Sequence, residues 1–122
     1  MPEIIAYNST MAAFDPRVLL DEYGDEALVR ELAKLLVETV PVQVDAVRSA
    51  VDARDGSALR AAAHKLRGSI VSFGVPDTVD TARRLEAMGA SGDLGSADTL
   101  VPQLAADVQS LCTSAKAWLD SH

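Results

Sequence analysis

The sequence predicts an all-α protein: an antiparallel up-down four-helix bundle with a short N-terminal capping helix. Apolar residues recur at helical spacing along four long stretches, and no segment alternates apolar and polar side chains over a useful length. Apolar residues make up 48% of the chain but aromatic residues only 4%, so alanine, valine and leucine must form the core. Short connections between the stretches favour antiparallel neighbours.

The length of 122 residues is that of one domain. We divide the chain into a poorly patterned N-terminal extension, residues 1–13, and a bundle domain, residues 14–122. The short helix is predicted to begin at Phe14-Asp15-Pro16 and to end near Tyr23-Gly24. Asp15 is a suitable N-cap, Pro16 suits the first helical position, and Phe14 can pack against Leu19.

The second helix is predicted to run from about Asp25 to about Ala53. Pro41 lies inside it, and we expect a kink rather than a break because the apolar pattern continues in register beyond the proline. The predicted apolar stripe consists of Leu28, Leu32, Leu35, Leu36, Val40, Val44, Val47 and Val51.

Asp55 and Gly56 are predicted to form a turn, after which Ser57 caps the third helix. This helix is expected to end near Gly74, and Asp77 is expected to cap the fourth. The fourth helix uses Val79, Ala82, Leu85, Glu86 and Met88. Residues 89–95 are predicted to be a flexible loop, and the last helix begins between residues 96 and 102. Its apolar face consists of Val101, Leu104, Val108, Leu111, Ala115 and Leu119.

Charge and targeting signals narrow the function classes. The net charge of −7 argues against general binding of nucleic acid or anionic membranes. No run of about 18 apolar residues is present and the N-terminus does not read as a signal peptide, so we expect a cytoplasmic protein. The single cysteine, Cys112, excludes an intramolecular disulfide, and its apolar helical neighbours indicate a buried thiol.

His64 is the most informative residue of the third helix. The apolar residues of this helix form one stripe, Leu59, Ala63, Leu66, Ile70 and Phe73, and His64 points about 140° away from it. Its neighbours along the helix, Ala61 and Gly68, are small, so the imidazole is predicted to be exposed and uncrowded. Glycine inside a helix costs roughly 1 kcal/mol relative to alanine, which a closely approaching partner would explain.

The residue types around His64 favour a role in phosphoryl transfer with a partner protein over a role as an enzyme active site. A neutral imidazole nitrogen is a nucleophile, but the same helix face holds no carboxylate or hydroxyl placed to orient the ring. We also find no metal-ligand spacing and no glycine-rich phosphate loop. Phosphoryl transfer depends mainly on positioning and charge stabilisation, which a partner can supply. Residues 54–67 hold a local excess of positive charge, Arg54, Arg60, Lys65 and Arg67 against Asp55.

The motif HKLRGS at residues 64–69, followed by Phe73-Gly74, resembles the signature of histidine-containing phosphotransfer (HPt) domains. The segment at 14–16, the turn at 55–56 and the Leu85-Glu86 pair also fit that family, so the resemblance covers roughly residues 14–119. It implies a cytoplasmic four-helix bundle that relays phosphate between receiver-domain aspartates through His64. The phosphoryl group is implied to be on the ring nitrogen farther from the backbone.

The resemblance also implies roles for neighbouring residues and for partners. Arg67 matches a position near the phosphate that is most often lysine, and Gly68 matches the glycine that lets the partner approach. Lys65 lies at a variable position, where it can still neutralise the phosphate. We expect Arg60, Ala61 and Val71 to contact the partner, which is a response-regulator receiver domain, a histidine kinase or a hybrid kinase.

The chain is expected to be a monomeric, stoichiometric phosphocarrier and not an enzyme, with no kinase domain, metal or cofactor of its own. Mg²⁺ is expected in the partner receiver. Two other hypotheses remain open: a module that binds a receiver or kinase without accepting phosphate, and a phosphoacceptor charged directly by a histidine kinase. Glu86 is interpreted as a surface or helix-pairing residue, and His122 as a terminal residue without a role.

Overall fold

The computed structural model describes residues 12–121, which form five α-helices and no β-strand. The helices are α1 (Pro16–Tyr23), α2 (Glu26–Asp52), α3 (Gly56–Ile70), α4 (Pro76–Ser91) and α5 (Ala97–Ser121), and a 3₁₀ turn (Val71–Phe73) follows α3. Helices α2 to α5 pack in chain order and α5 closes the bundle against α2. The predicted all-α bundle is confirmed. Most of the predicted N-terminal extension, residues 1–11, lies outside the described part.

The short helix α1 covers the end of the bundle at which α3 stops and α4 begins. Asp15 caps it by accepting a hydrogen bond from the backbone N of Arg17 at 2.9 Å, which confirms the predicted cap. The helix ends at Gly24, close to the predicted position, and Gly24 has the left-handed conformation. The ring of Phe14 lies 6.2 Å from that of Phe73 and 5.4 Å from that of Trp118. These contacts join the chain before α1 to the 3₁₀ turn and to α5.

Two predicted helix caps are each wrong by two residues. Asp55, not Ser57, caps α3, because its Oδ1 accepts a hydrogen bond from the backbone N of Ala58 at 3.1 Å. Asp77 lies in the first turn of α4 rather than at its cap. Here Pro76 is already helical, since its missing N–H and restricted φ suit the first helical position.

The predicted flexible loop at residues 89–95 is wrong in its first part. Helix α4 continues through Gly89 to Ser91 and ends at Gly92, which has a φ of +81°. Gly89 is buried where α4 touches α3. Glycine is needed at this position because two helices approach closely there. A single sequence does not distinguish a glycine at such a contact from a glycine in a loop.

The core is formed by one face of each long helix. In α2 that face consists of Val29, Ala33, Leu36, Val40, Val44, Val47, Ala50 and Val51. Leu28 and Leu35, predicted as core residues, are 40% and 55% exposed. Each precedes a buried residue by one position and so points about 100° away from it. The prediction that Pro41 does not break α2 is confirmed.

The expected burial of the thiol is also confirmed, because Cys112 lies in the core between α5 and α2. No helix within residues 12–121 has the length and apolar character needed to cross a membrane.

Candidate functional site

His64 lies near the middle of α3 on its outward face, and 66% of its side chain is exposed. The five residues of the predicted apolar stripe are all buried, namely Leu59, Ala63, Leu66, Ile70 and Phe73. The predicted orientation of His64, away from the core, is therefore confirmed. A partner molecule can reach the imidazole without any change in the bundle.

A carboxylate from the neighbouring helix holds one nitrogen of the imidazole. Nδ1 of His64 lies 3.0 Å from Oε2 of Glu86, which α4 places beside α3. An ionised carboxylate only accepts hydrogen bonds, so this contact requires the proton on Nδ1. Nε2 then carries the free lone pair. The expectation that His64 has almost nothing beside it is wrong on this side, because the orienting group comes from a different helix.

Arg67 is bound to the same carboxylate. Its Nε donates to Oε1 of Glu86 at 3.0 Å, and the two side chains are only 33% and 21% exposed. Nη2 of Arg67 also lies 3.2 Å from Nδ1 of His64. Since both nitrogens carry protons when Nδ1 donates to Glu86, that approach is not a hydrogen bond in this tautomer. Arg67 therefore holds Glu86 in place.

The electrostatics of Glu86 maintain this arrangement. Burial raises the pKa of Glu86, but hydrogen bonds from Arg67 and His64 oppose that effect and outweigh it, so the pKa lies below the ordinary value for glutamate. Glu86 is accordingly ionised at neutral pH. Its negative charge favours a proton on Nδ1 and stabilises positive charge that develops on the ring.

A glycine contact between α3 and α4 explains how Glu86 reaches His64. A Cβ on Gly89 would lie 2.5 Å from the backbone N of Arg60 and 2.5 Å from the carbonyl O of Gly56. Only glycine allows the two backbones to come this close. Glu86 lies one turn before Gly89, and His64 lies one turn after Arg60, so this contact brings the carboxylate and the imidazole together.

A shallow depression beside His64 is lined by Ser57, Arg60, Ala61, His64 and Glu86. Helical side chains lean toward the N-terminus of their helix, which directs the imidazole toward the turn that holds Arg60 and Ala61. Two of the three predicted docking residues thus adjoin His64. Val71, the third, lies in the 3₁₀ turn and is 57% exposed.

Gly68 lies on the exposed face of α3, one turn after His64. A Cβ added there meets no atom within 4 Å. Packing within residues 12–121 therefore gives no reason for a glycine at this position, although a glycine weakens the helix. This result fits the expectation that Gly68 leaves room for another molecule.

The predicted positive patch is smaller than the sequence suggests. Arg54 is paired with Asp98 at 2.7 Å, and Arg67 is paired with Glu86. In the part of the chain that the structure describes, Arg60 and Lys65 keep their cationic groups without an ion-pair partner. The same part contains no group of three or more His, Cys, Asp or Glu side chains arranged to hold a metal ion.

An apolar groove lies on the α2 side of His64. Its lining residues are Leu32, Leu35, Leu36, Thr39, Val40, Ser69 and Phe73. Ser69 directly follows Gly68, so the groove begins beside the uncrowded part of α3. The exposure of Leu28 and Leu35, which the sequence did not predict, extends the apolar surface along α2.

A model of the family described as "Hpt domain" matches residues 31–114. This chain belongs to the Hpt domain family. The curated relatives of this Hpt domain include the virulence sensor protein BvgS of Bordetella bronchiseptica and of Bordetella parapertussis, each 32% identical over 119 residues. The alignments cover 95% of this chain and 10% of each relative. The chain therefore spans about a tenth of the length of the curated relatives it matches.

A solved structure shares the fold of this Hpt domain. Histidine-containing phosphotransfer protein B (HptB) from Pseudomonas aeruginosa PAO1 superimposes with a TM-score of 0.77 at 23% sequence identity. The match covers 89% of this chain and 96% of that chain. Family membership makes phosphotransfer in two-component signalling the activity class of the domain.

Glu86 is the site residue whose position sequence reasoning missed. The sequence places Glu86 on the fourth helix and, beside the family resemblance of the Leu85-Glu86 pair, indicates only a surface or helix-pairing residue. One further signal was present, since Glu86 directly follows the buried Leu85 and so borders the face of α4 that packs on the bundle. Nothing in a single sequence indicates that His64 lies opposite that border.

Proposed function

We propose that this Hpt domain is a phosphorelay intermediate. It accepts a phosphoryl group on His64 from a receiver-domain aspartyl phosphate and passes it to another receiver aspartate. The observation that carries this proposal is the exposed imidazole whose Nδ1 is bound by Glu86, while Nε2 has no partner among residues 12–121. The domain acts as a monomer in the cytoplasm and is a stoichiometric carrier rather than an enzyme.

The transfer step follows from this geometry. The Nε2 lone pair of His64 attacks phosphorus, the P–O bond to the receiver aspartate breaks, and the carboxylate leaves with the bonding electrons. The proton stays on Nδ1, so the phosphorylated ring carries a positive charge that Glu86 stabilises at a distance of 3.0 Å. Transfer to the next receiver reverses these bond changes.

The receiver supplies what this domain lacks for the reaction. We propose that the receiver holds Mg²⁺ and presents its aspartate in line with Nε2, since phosphoryl transfer depends on positioning and charge neutralisation. The cations of Arg60 and Lys65, which have no ion-pair partner in the described part of the chain, complement an acidic receiver pocket. Gly68 leaves the space for close approach.

The apolar groove and the exposed side chains of Leu35 and Val71 complete the docking surface. Apolar side chains that become buried at an interface favour binding because their surface is removed from water. We therefore extend the predicted contact set of Arg60, Ala61 and Val71 to the α2 side of His64. The receiver lies across α3 and α2, which leaves the Glu86 contact on the α4 side intact.

A labelling experiment tests the proposal. A receiver carrying a ³²P-labelled aspartyl phosphate should transfer the label to this domain, and the label on the domain should be acid-labile and base-stable. His64→Gln should abolish labelling, while circular dichroism shows that the variant is still folded. Persistent labelling of a folded His64→Gln variant contradicts the assignment of His64, and tight binding without labelling of the unaltered domain favours a binding module.

Direct charging by a histidine kinase is the second candidate. The observation that favours it is the alignment of 95% of this chain with one segment of a much longer sensor protein. A kinase core without receiver domains should then label His64 in the presence of ATP. If labelling requires an added receiver, the relay is correct and the direct route is not.

A further inference from the structure

We infer that Arg60, rather than Arg67, supplies the guanidinium that binds the phosphoryl group on His64. This inference rests on the proposed function and assigns a different role to each arginine. Arg67 orders the unphosphorylated site through Glu86. Arg60 binds the phosphoryl oxygens.

Arg67 already forms an ion pair with the carboxylate of Glu86. Its Nε and Nη2 both lie 3.0 Å from Oε1 of Glu86, and the ion pair is partly shielded from solvent. Its approach to His64 is toward Nδ1, not toward the nitrogen that takes the phosphoryl group. Moving Arg67 to the phosphate would leave Glu86 without its closest cation, and breaking a partly buried ion pair is unfavourable.

Arg60 has the position and the freedom that Arg67 lacks. It lies one turn before His64, where Cβ atoms of helical neighbours are about 6 Å apart, and it lines the depression beside the imidazole. Within residues 12–121 its guanidinium has no hydrogen-bond or ion-pair partner. Its backbone is held by the contact with Gly89, so the side chain extends from a fixed point.

The charges of the site favour the same assignment. Glu86 and Arg67 cancel, which leaves Arg60 as the uncompensated charge in the depression. A phosphoryl group adds about 1.5 to 2 negative charges and three acceptor oxygens. The guanidinium fork matches two of those oxygens, and the exposed hydroxyl of Ser57 in the same depression is a further donor.

Lys65 is the other cation near His64 that has no ion-pair partner within residues 12–121. It lies about 100° from His64 around α3, on the side of α2, and it does not line the depression. Binding by Lys65 is therefore the main alternative, which the same experiment distinguishes.

The test uses phosphoramidate as a small donor, so that receiver docking does not contribute. Nε2 attacks phosphorus, the P–N bond breaks and ammonia leaves. We compare Arg60→Gln, Arg60→Lys, Arg67→Gln and Lys65→Gln with Arg48→Gln, a charge-matched control on α2 whose side chain pairs with Asp45. The readouts are the phosphorylation rate and the ³¹P titration of phosphohistidine. ¹⁵N spectra report the imidazole tautomer before phosphorylation.

Arg60→Gln should slow phosphorylation about tenfold, as expected for loss of one charge-assisted hydrogen bond, and should move the ³¹P titration to higher pH. It should leave the ¹⁵N tautomer signals unchanged, and Arg60→Lys should restore part of the rate. Arg67→Gln should instead alter the ¹⁵N signals.

The inference is overturned if Arg60→Gln titrates like the unaltered domain, or if Lys65→Gln or Arg67→Gln produces the ³¹P shift in its place. Phosphorylation of His64 in the unaltered domain separates these outcomes from a failure of the proposed function. If neither phosphoramidate nor a phosphorylated receiver labels His64, both proposals fall.

Discussion

The close contact at Gly89 between α3 and α4 predicts that a packing change there alters the hydrogen bond between Glu86 and His64. In Gly89→Ala the new methyl group would lie 2.5 Å from two backbone atoms, the N of Arg60 and the O of Gly56. Neither atom can move away by a side-chain rotation. The helices must separate, and we expect the loss of the hydrogen bond between Glu86 and His64.

The size of the effect follows from the distances. An ordinary contact begins at 3.4 Å, so the backbones have to separate by about 0.9 Å at Gly89. Because Glu86 is one turn away on the same helix, most of this shift reaches the 3.0 Å contact between Glu86 and His64. That distance then exceeds the range of an effective hydrogen bond. Overpacking of this kind costs about 1–3 kcal/mol of unfolding free energy.

The assay combines urea unfolding, ¹⁵N spectra of the imidazole and phosphorylation of His64. Gly89→Ala should lower stability, reduce the fraction of His64 with its proton on Nδ1, and slow phosphorylation. Gly68→Ala is the matched control for the first two readouts, because it adds the same methyl group to α3 at a position where no atom of residues 12–121 lies within 4 Å. If Gly89→Ala leaves both the tautomer and the stability unchanged, the helix contact does not position Glu86.

Three further predictions concern stability and its pH dependence. Gly68→Ala should raise the unfolding free energy by about 0.5–1 kcal/mol in urea titrations, yet slow transfer from a phosphorylated receiver; a destabilised variant would contradict the open space at this position. Because the folded-state pKa of Glu86 is depressed, its stabilising contribution is present above pH 4.5 and is lost as pH falls through that lowered value. The difference in unfolding free energy between the unaltered domain and Glu86→Gln should therefore be large at pH 7 and shrink near pH 3. Burial raises the pKa of Asp107, so Asp107→Asn, which keeps an acceptor for the Thr78 hydroxyl, should stabilise the domain at pH 7; this gain should vanish toward pH 3.8, and a loss at pH 7 would refute the penalty.

Errors in the predicted elements share a physical origin. Leu28 and Leu35 have the spacing of core residues, but whether the edge of an apolar stripe is covered depends on the neighbouring helices. Gly89 was assigned to a loop because glycine is common in turns. In the structure it lies inside α4, where the close approach to Gly56 requires a residue without a side chain. Ser57 was predicted as the cap of α3 in place of Asp55, because serine and aspartate are both common N-cap residues and residue type alone does not separate them.

Local sequence patterns were sufficient to predict the helical bundle and the outward orientation of His64. The 3.6-residue period places the apolar residues of α3 on one side and His64 on the other, and caps such as Asp15 mark where a helix begins. These properties depend on residues within a few turns of one another, so one sequence contains them.

The tertiary structure decided which atoms meet His64. Glu86 is 22 positions away from it, and the contact arises because Gly89 and Gly56 let α4 approach α3. That approach also pairs Arg67 with Glu86, whereas Arg60 has no ion-pair partner among residues 12–121. Distances between residues on two helices depend on how the two helix surfaces pack. The apolar periodicity of one helix does not specify how far the neighbouring helix is shifted along it.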